Sequence, residues 1–506
     1  MGTERFDVVI VGAGLSGIGA AWHLQDKCPG KSYVILEGRD SIGGTWDLFR
    51  YPGLRSDSDM HTLGYNFKPW REAKAIADGS SILKYVKDTA AENGIERHIR
   101  YRYQVTSAAW SSEDAAWSVT TRCEESGSTQ RFSCNFLLLC AGYYSYKQGY
   151  TPEFPGRQRF QGQIIHPQEW PEDCDYKDKK VVIIGSGATA VTLIPELAKE
   201  AASVVMLQRS PTYMVSAPDT DRIANFLRKV LPDKWAYAIT RFKNTARQQW
   251  VYRQTRTHPE VVREKLLHRI REQLGPDYDI ETHFTPSYNP WDQRLCLVPN
   301  NDLFRSIRSG ATSVVTDQIE TFTETGIQLQ SGELLEADII ITATGLNLVV
   351  LGEMDISVDG EAVDFSQTWT YKGLMTTEVP NLVNTFGYIN ASWTLRADLI
   401  AEWVCRVLNH MDATGTRQVL PTLRPQDSDM PARSWIEDFS SGYMQRMMHK
   451  FPRQGDREPW INPQNYRRDK KMFRHGPLED SALVFSAPAV QPASKQSEEV
   501  ALRAAS

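Results

Sequence analysis

Short runs of apolar, mostly β-branched residues recur along the chain, and the first runs from Phe6 to Val11. Runs of this length that end at glycines are typical of strands buried in a parallel sheet. A helical stretch follows to about Leu24, and a second apolar run, 33–36, ends in Glu37. This order predicts a strand–helix–strand unit at the start of the chain, and the run 136–139 predicts a later strand.

The same pattern begins again after a connection that contains four prolines, at 152, 155, 167 and 171. Apolar runs at 181–184 and 204–207 enclose a helical stretch from Val191 to Ala198, and 339–342 is a further run. The predicted fold class is therefore α/β, with two doubly wound Rossmann-like dinucleotide-binding domains. We assign residues 1–148 and 345–506 to a discontinuous first domain, and 151–218 and 295–344 to the second.

The segment 219–294 has a mostly helical pattern and is predicted to be a helical insert. From Arg222 to Arg256 only Asp233 is acidic and nine residues are basic, which is typical of a solvated face, with weak peripheral membrane contact as the alternative. The final segment, 487–506, is small and polar and is expected to be a disordered tail. One helical face of the insert is apolar, and we interpret it as a core face rather than a membrane or substrate-channel face; it consists of Trp235, Ile239, Phe242, Ala246 and Trp250.

Composition limits the class of protein. The 506 residues suffice for two or three domains, and a net charge of −5 gives no strong field for binding nucleic acid. The seven cysteines show neither a C-x-x-C pair nor metal-ligand spacing, which suits a reducing compartment. The polar start leads directly into a strand, and no apolar run approaches the roughly 20 residues of a spanning helix. We therefore expect a cytoplasmic protein, or a peripheral membrane protein.

The first glycine loop has the spacing of a dinucleotide fingerprint. It follows a strand, opens a helix and is followed, about 20 residues later, by an acidic residue that can accept hydrogen bonds from a ribose diol. The glycines permit a tight turn, close approach of the pyrophosphate and close helix packing, and the helix N-terminus faces the anion. The predicted FAD- or NAD-binding residues here are Gly12, Gly14, Gly17 and Glu37.

The second glycine loop, 185–190, differs from the first in the residues at the end of its second strand. That strand ends not in an acid but in Gln208, Arg209 and Ser210. An arginine can pair with a 2′-phosphate through two hydrogen bonds, so this loop is predicted to bind NADP. The residues expected at this nucleotide are Gly185, Gly187, Ala188, Thr189, Arg209 and Ser210.

Two longer signatures narrow the class further. One extends from Gly43 to Asp57, and its matching residues are Gly43, Gly44, Trp46, Tyr51, Pro52, Gly53 and Asp57. The other lies just before the second glycine loop and consists of Phe160, Gly162, His166, Trp170 and Pro171. With both signatures, nearly the whole chain resembles the type I Baeyer–Villiger monooxygenases. It is most similar to the subgroup that contains the mycobacterial ethionamide-activating monooxygenase and the long-chain alkane-linked enzymes.

The resemblance implies a reaction and its cofactors. NADPH would reduce FAD, oxygen would add at flavin C4a, and the resulting peroxyflavin would convert an apolar ketone into an ester or lactone. Linear aliphatic or aryl ketones are the implied substrates, with oxidation of sulfides as a side activity. Gly44, Thr45 and Trp46 would lie at the flavin.

The resemblance also implies catalytic residues. A negatively charged peroxide needs a fixed cation nearby and exclusion of water. In the family an arginine held by an acid supplies that charge, and Arg294 and Asp57 occupy the matching positions. Many relatives carry a lysine at the position of Gln293, so the contact with the 2′-phosphate should be weaker here. His166 lies in the linker, where the family uses it to couple the domains rather than to transfer protons.

Three alternatives remain open from the sequence. A flavin monooxygenase that oxygenates sulfur or nitrogen would use the protonated hydroperoxide, and Trp170–Pro171 and the Asp57/Arg294 pairing argue against it. A flavin disulfide reductase needs a redox-active cysteine pair, and Cys134 and Cys140 have the wrong spacing. A non-catalytic flavoprotein that senses redox state or binds a partner would consume no NADPH with any ketone or sulfide.

Overall fold

In this computed structural model the described residues are 3–437 and 439–487. The N-terminal part contains strands and helices in the order of a strand–helix–strand unit followed by a meander. They are β1 (Glu4–Val11), α1 (Leu15–Lys27), β2 (Tyr33–Leu36), α2 (Thr45–Leu48), α3 (Met60–Leu63), α4 (Gly79–Glu92), β3 (Ile99–Arg100), β4 (Tyr103–Ser111), β5 (Ala116–Cys123) and β6 (Thr129–Leu139).

The middle of the chain contains a second strand–helix–strand unit, then helices, then further strands. The elements are β7 (Gln163–Ile165), β8 (Lys180–Ile184), α5 (Ala188–Leu197), β9 (Ser203–Gln208), β10 (Met214–Ala217), α6 (Arg222–Val230), α7 (Asp233–Thr257), α8 (Pro259–Leu274), α9 (Ile280–Phe284), β11 (Cys296–Pro299), α10 (Asp302–Arg308), β12 (Thr312–Thr316), β13 (Ile319–Phe322), β14 (Gly326–Leu329), β15 (Leu334–Glu336) and β16 (Ile339–Thr342).

The C-terminal part adds short strands and one long helix. The elements are β17 (Asp355–Val358), β18 (Glu361–Ala362), β19 (Thr370–Tyr371), β20 (Met375–Thr376), β21 (Leu382–Asn384), α11 (Trp393–Thr414), β22 (Gln418–Pro421), α12 (Gly442–Gln445), α13 (Tyr466–His475) and β23 (Leu483–Ser486).

The first sheet combines strands from both ends of the chain. It has nine strands in the order β18-β17-β4-β5-β6-β1-β2-β3, with β21 paired to β6. β1 runs parallel to β2 and β6, and its last four residues, Val8 to Val11, are buried on both faces as the apolar run predicts. Helices α1 and α11 pack against each other on one side. The N-terminal glycine loop therefore lies at the carboxyl edge of a sheet that the C-terminal part completes.

The second sheet is entirely parallel. Its five strands follow the order β12-β9-β8-β16-β7, and β8 pairs with β9 and β16 in register. Helix α5 packs its buried apolar side, from Ala190 to Leu197, against this sheet. The prediction of two Rossmann-like units in an α/β fold is confirmed.

The insert is helical, but the prediction for its apolar face is wrong. Trp235, Ile239, Phe242, Ala246 and Trp250 are exposed rather than in a core. The opposite, polar side of α7 packs on the first domain, because Arg241 donates to the carbonyl oxygens of His61, Thr62 and Gly64. Asn244 adds a hydrogen bond to Asp59. These hydrogen bonds determine which side of the helix faces inward.

Two further expectations concern the rest of the chain. Within the described ranges, the helices are too short or too polar to cross a bilayer. The tail expected at 487–506 lies outside the described residues, apart from Ala487.

Candidate active site

A single large cavity of about 1600 Å³ contains both glycine loops in its wall. This volume exceeds the roughly 300–1,000 Å³ of pockets for drug-sized ligands, so two dinucleotides can share it. Of the predicted site residues only Gly17 is absent from the wall. Those that line it are Gly12, Gly14, Glu37, Gly44, Thr45, Trp46, Asp57, Gly185, Gly187, Ala188, Thr189, Arg209, Ser210, Gln293 and Arg294.

The first glycine loop has the geometry of a pyrophosphate cradle. Gly12 has φ +101°, and an added Cβ would lie 2.6 Å from the Cys140 carbonyl oxygen, so only glycine fits. A side chain at Gly17 would overlap the Gly12 carbonyl oxygen, which explains why Gly17 serves helix packing rather than the wall. Gly14 precedes α1 and offers no side-chain cap, so the N–H groups of the first turn remain available to an anion.

Glu37 is held against this loop by the backbone. Its Oε2 accepts a hydrogen bond from the Ala13 N–H at 2.7 Å, and its Oε1 accepts one from the Arg39 N–H at 2.9 Å. Burial raises the pKa of Glu37, and the two N–H donors partly offset that effect. The carboxylate is thus fixed at the end of β2, where a ribose would reach it.

The start of the first signature packs directly on the glycine loop. The Gly43 N–H donates to the Ala13 carbonyl oxygen, and a Cβ on Gly44, which has φ +58°, would lie 3.0 Å from the Cα of Gly14. Next to it, the Tyr144 hydroxyl donates to the Thr45 Oγ1 at 2.6 Å. The glycine pair is therefore required by the close approach of two loops at the cavity.

The second glycine loop repeats the cradle in the other domain. Gly185 has φ +134°, and a side chain there would overlap the Ala343 carbonyl oxygen. Gly187 precedes α5, also without a side-chain cap, and space beyond it is open. Arg209 and Ser210 come directly after β9 and are exposed at the cavity wall, where a 2′-phosphate could reach both.

An arginine that the sequence patterns do not single out lies on the same wall. The Arg446 guanidinium is 3.5 Å from the centroid of the Tyr150 ring and donates to the Leu346 carbonyl oxygen at 3.3 Å. Burial and the nearby charge of Arg209 lower the pKa of Arg446. Neither Arg446 nor Tyr150 belongs to a recognised signature, so spatial proximity is the only signal that identifies them.

Asp57 and Arg294 form an ion pair in the cavity wall. The Arg294 Nε lies 3.4 Å from the Asp57 Oδ2, and 35% of the arginine and 25% of the aspartate side chain remain exposed. Burial alone would lower the pKa of Arg294, but Asp57, Tyr443 and Tyr143 outweigh it and raise that pKa. The guanidinium is therefore charged and open to the cavity at the same time.

The middle of the first signature links the two domains. The Tyr51 side chain packs in the core of the second domain, where burial raises its pKa. Arg55 forms an ion pair with Asp302 at 2.5 Å. Gly53 has φ +76°, and an added Cβ would be 3.1 Å from the Thr192 carbonyl oxygen of α5 and would overlap the Glu196 side chain. The signature is thus a contact between domains as well as a cofactor loop.

We expect Gly53→Ala to destabilise the protein by more than the roughly 1–2 kcal/mol that a left-handed backbone costs a residue with a Cβ. The additional loss comes from the overlap of the new Cβ with the Glu196 side chain of α5. The loss should appear as a lower thermal midpoint of the FAD-loaded protein. Gly127→Ala, at a positive φ with open space around it, is the matched control for backbone strain alone. If the two variants are equally destabilised, the contact of Gly53 with α5 adds nothing.

His166 connects the linker to the crossover between domains. Its Nδ1 accepts from the Gln168 N–H at 3.2 Å, so the proton is on Nε2, which donates to the Gly345 carbonyl oxygen at 3.2 Å. Burial lowers the pKa of His166. The His166 ring thus joins the linker to the backbone at residue 345 through hydrogen bonds at both nitrogens.

The lowered pKa predicts how His166 contributes to pH-dependent stability. As pH falls through the ordinary histidine value of about 6.5, the unfolded state takes up the proton first and the folded state is destabilised. Each unit of pKa depression corresponds to about 1.4 kcal/mol. His166→Gln removes this titration, so its thermal midpoint should fall less steeply than that of the wild type between pH 7.5 and pH 5.5 (an assay range set by about one unit either side of 6.5). Parallel slopes would contradict the assignment.

The cysteines do not support a dithiol mechanism. All seven are free thiols, and burial raises the pKa of both Cys134 and Cys140 to about 12, far from the thiolate a redox pair needs. In the part of the chain that the structure describes, no cluster of His, Cys, Asp and Glu could hold a metal ion.

The chain is similar in sequence to known proteins and family models. Residues 65–425 match the flavin-binding monooxygenase-like family, and residues 10–77 match the NAD(P)-binding Rossmann-like domain. The FAD-containing monooxygenase EthA of Mycobacterium tuberculosis strain H37Rv is 55% identical over 485 residues, which cover 96% of this chain and 98% of EthA.

Solved structures show the same fold. An oxidised steroid monooxygenase bound to NADP has a TM-score of 0.77 at 23% identity, covering 96% of this chain and 100% of its own. Cyclohexanone monooxygenase from Rhodococcus sp. Phi1 bound to NADP⁺ has a TM-score of 0.73 at 20% identity, with the same coverage of 96% and 100%.

Proposed function

The chain belongs to the flavin-binding monooxygenase-like family, and we propose that within this family it converts apolar ketones into esters or lactones. It is a monooxygenase that uses FAD and NADPH. The single observation that carries the ketone proposal is the Asp57–Arg294 pair, which holds a charged guanidinium in the wall of the cavity that contains both nucleotide cradles.

Both cradles fit the cofactors of the family. Gly12, Gly14 and Glu37, with Gly44 to Trp46, would hold FAD, and the loop at Gly185 with Arg209 would hold NADPH. When bound, FAD accepts electrons from NADPH and activates molecular oxygen. The residues around the bound cofactors then determine which substrate is oxidised.

Arg294 is the residue that we expect to favour attack on a carbonyl. Its guanidinium stabilises negative charge that develops on oxygen atoms. It loses little conformational freedom in doing so, because Asp57 already fixes its orientation. A cation at this position disfavours protonation of a neighbouring oxygen anion, and an anionic oxidant attacks electrophilic carbon. The alternative, oxygenation of sulfur or nitrogen, needs the protonated and electrophilic oxidant.

The wall around Arg294 supports an apolar substrate. Tyr143, Phe386 and Trp393 form an aromatic cluster there, with ring centroids 5.2–5.5 Å apart. Tyr443 and Met444 complete this part of the wall. Such a surface excludes water and suits linear aliphatic or aryl ketones, with sulfides as secondary substrates. The free thiols support a cytoplasmic location. The exposed apolar residues of the insert support peripheral membrane contact.

A panel of ketones with gas chromatography of the products tests the proposal. We expect the FAD-loaded protein with NADPH and oxygen to convert 2-dodecanone to an ester, with slower oxidation of an aryl methyl sulfide. Oxidation of the sulfide alone would establish the S/N-oxygenating alternative. No NADPH consumption with any ketone or sulfide would instead indicate a non-catalytic flavoprotein.

A further inference from the structure

The outer surface of the insert carries a row of large apolar side chains on α6 and α7. We call this row the apolar ridge. The exposed fraction is 76% for Phe242, 66% for Trp235 and 62% for both Phe226 and Trp250. Isolated exposed apolar residues are common, but a contiguous set marks an interaction surface. The ridge consists of Ile223, Phe226 and Val230 on α6 and Trp235, Ile239, Phe242 and Trp250 on α7.

The helical spacing shows that the ridge points directly away from the protein. On α7 the buried residues Ala236, Tyr237 and Thr240 lie on the opposite side of the helix from the ridge. On α6 the ridge residues recur at positions i, i+3 and i+7, which is one face. Both helices are thus amphipathic with the apolar face turned outward, the reverse of a packed surface helix.

The polar groups beside the ridge are basic. Five exposed residues flank it, and none forms an ion pair with a described residue. By contrast, Lys243 pairs with Asp221 and Arg241 with Asp398 on the inward side. The five flanking residues are Arg222, Lys229, Lys234, Arg247 and Arg253.

We infer that the apolar ridge docks on the surface of an anionic lipid bilayer. Amphipathic helices with Trp and Phe on one face and Lys and Arg beside it lie in the membrane interface, with apolar side chains at the headgroup boundary. Anionic lipids also satisfy the five flanking charges. A second copy of the chain fits less well, because pairing ridge against ridge would bring two sets of like charges together.

Flotation of the FAD-loaded protein with vesicles tests this inference. Vesicles of phosphatidylcholine alone are compared with vesicles of equal parts phosphatidylcholine and phosphatidylglycerol. We expect binding to the anionic vesicles, weaker binding to the neutral ones, and partial release by salt, because salt screens only the charge contribution. The triple variant Phe226→Ser/Phe242→Ser/Trp250→Ser should bind about tenfold less tightly or worse. These side chains are exposed, so folding should be unaffected.

Two further variants separate the contribution of the apolar side chains to vesicle binding from that of the basic residues. Leu334→Ser/Leu423→Ser/Val484→Ser removes exposed apolar side chains on other elements and should bind like the wild type. Lys229→Gln/Arg247→Gln/Arg253→Gln should lose only the preference for anionic vesicles. The inference is overturned if the wild type floats with neither vesicle, or if the ridge variant binds as well as the control. It is also overturned if sedimentation shows that the ridge variant dissociates a wild-type dimer while vesicles are ignored, since a second copy would then be the occupant.

Discussion

Replacing Arg294 with alanine is expected to abolish ester formation while NADPH consumption continues. The positive charge is needed where negative charge develops on oxygen, whereas the two nucleotide cradles lie in other loops and stay intact. Loss of one preorganised electrostatic contact of this kind costs about 10²–10³ in rate. Activated oxygen should then leave as hydrogen peroxide. The measurement is the ratio of ester formed to NADPH consumed, with peroxide assayed in the same reaction.

Matched variants make this result specific. Asp57→Asn keeps the guanidinium but loosens its orientation, so the ester-to-NADPH ratio should fall by less than in the alanine variant. Arg102, which lines the same cavity and pairs with Glu125, serves as the control, and Arg102→Ala should keep the ratio once loaded with FAD. If Arg294→Ala still forms ester at a near-normal ratio, the catalytic charge has been assigned to the wrong residue.

The parts of the fold that could be read from the sequence are those in which one local pattern has one structural meaning. An apolar run that ends at a glycine and opens a helix gave β1 and β8 within two residues of their observed starts. The strands 33–36 and 339–342 agree with the structure at both ends. A strand buried on both faces has no polar alternation, so its limits coincide with the apolar run.

The insert shows where local pattern is insufficient. Periodicity identified the apolar side of α7 correctly, but periodicity does not say which side of a helix packs inward. Arg241 and Asn244 decide that, through hydrogen bonds to residues almost two hundred positions earlier in the chain. Their partners include backbone carbonyl oxygens at the end of the short helix α3, and the sequence does not indicate that α7 packs against that helix.

The cavity shows the same division. Glycine loops and signatures identified fifteen of the residues in its wall, because each is a short motif with its own geometric requirement. The Tyr143 ring near Arg294 and the Arg446 guanidinium near Arg209 come from separate parts of the chain. Only the folded arrangement of the two sheets brings them together.

Arg209 is expected to determine most of the preference for NADPH over NADH. Removing its guanidinium in Arg209→Ala should narrow the preference for NADPH over NADH by about 1.5–3 kcal/mol, the value of a hydrogen bond to a charged group. That corresponds to about 10–150-fold in the ratio of kcat/KM values for the two nucleotides. Most of the change should be in KM for NADPH, because the 2′-phosphate is remote from the reacting ring and binds equally throughout the reaction.

Variants of two neighbouring residues distinguish direct pairing of Arg209 with the 2′-phosphate from a general effect of positive charge in the cavity wall. Gln293→Lys adds a cation on the same wall and should widen the preference, since a neutral amide pairs poorly with a phosphate. Arg446→Ala removes a cation near Arg209 that is stacked on Tyr150 and bonded to a carbonyl oxygen. If the preference depends on direct pairing with Arg209, Arg446→Ala should change it far less than Arg209→Ala does. Equal losses of NADPH preference in both variants would mean that the phosphate responds to the summed charge of the wall rather than to Arg209 alone. An unchanged ratio of the KM values for NADPH and NADH in Arg209→Ala would show that this residue does not contact the phosphate.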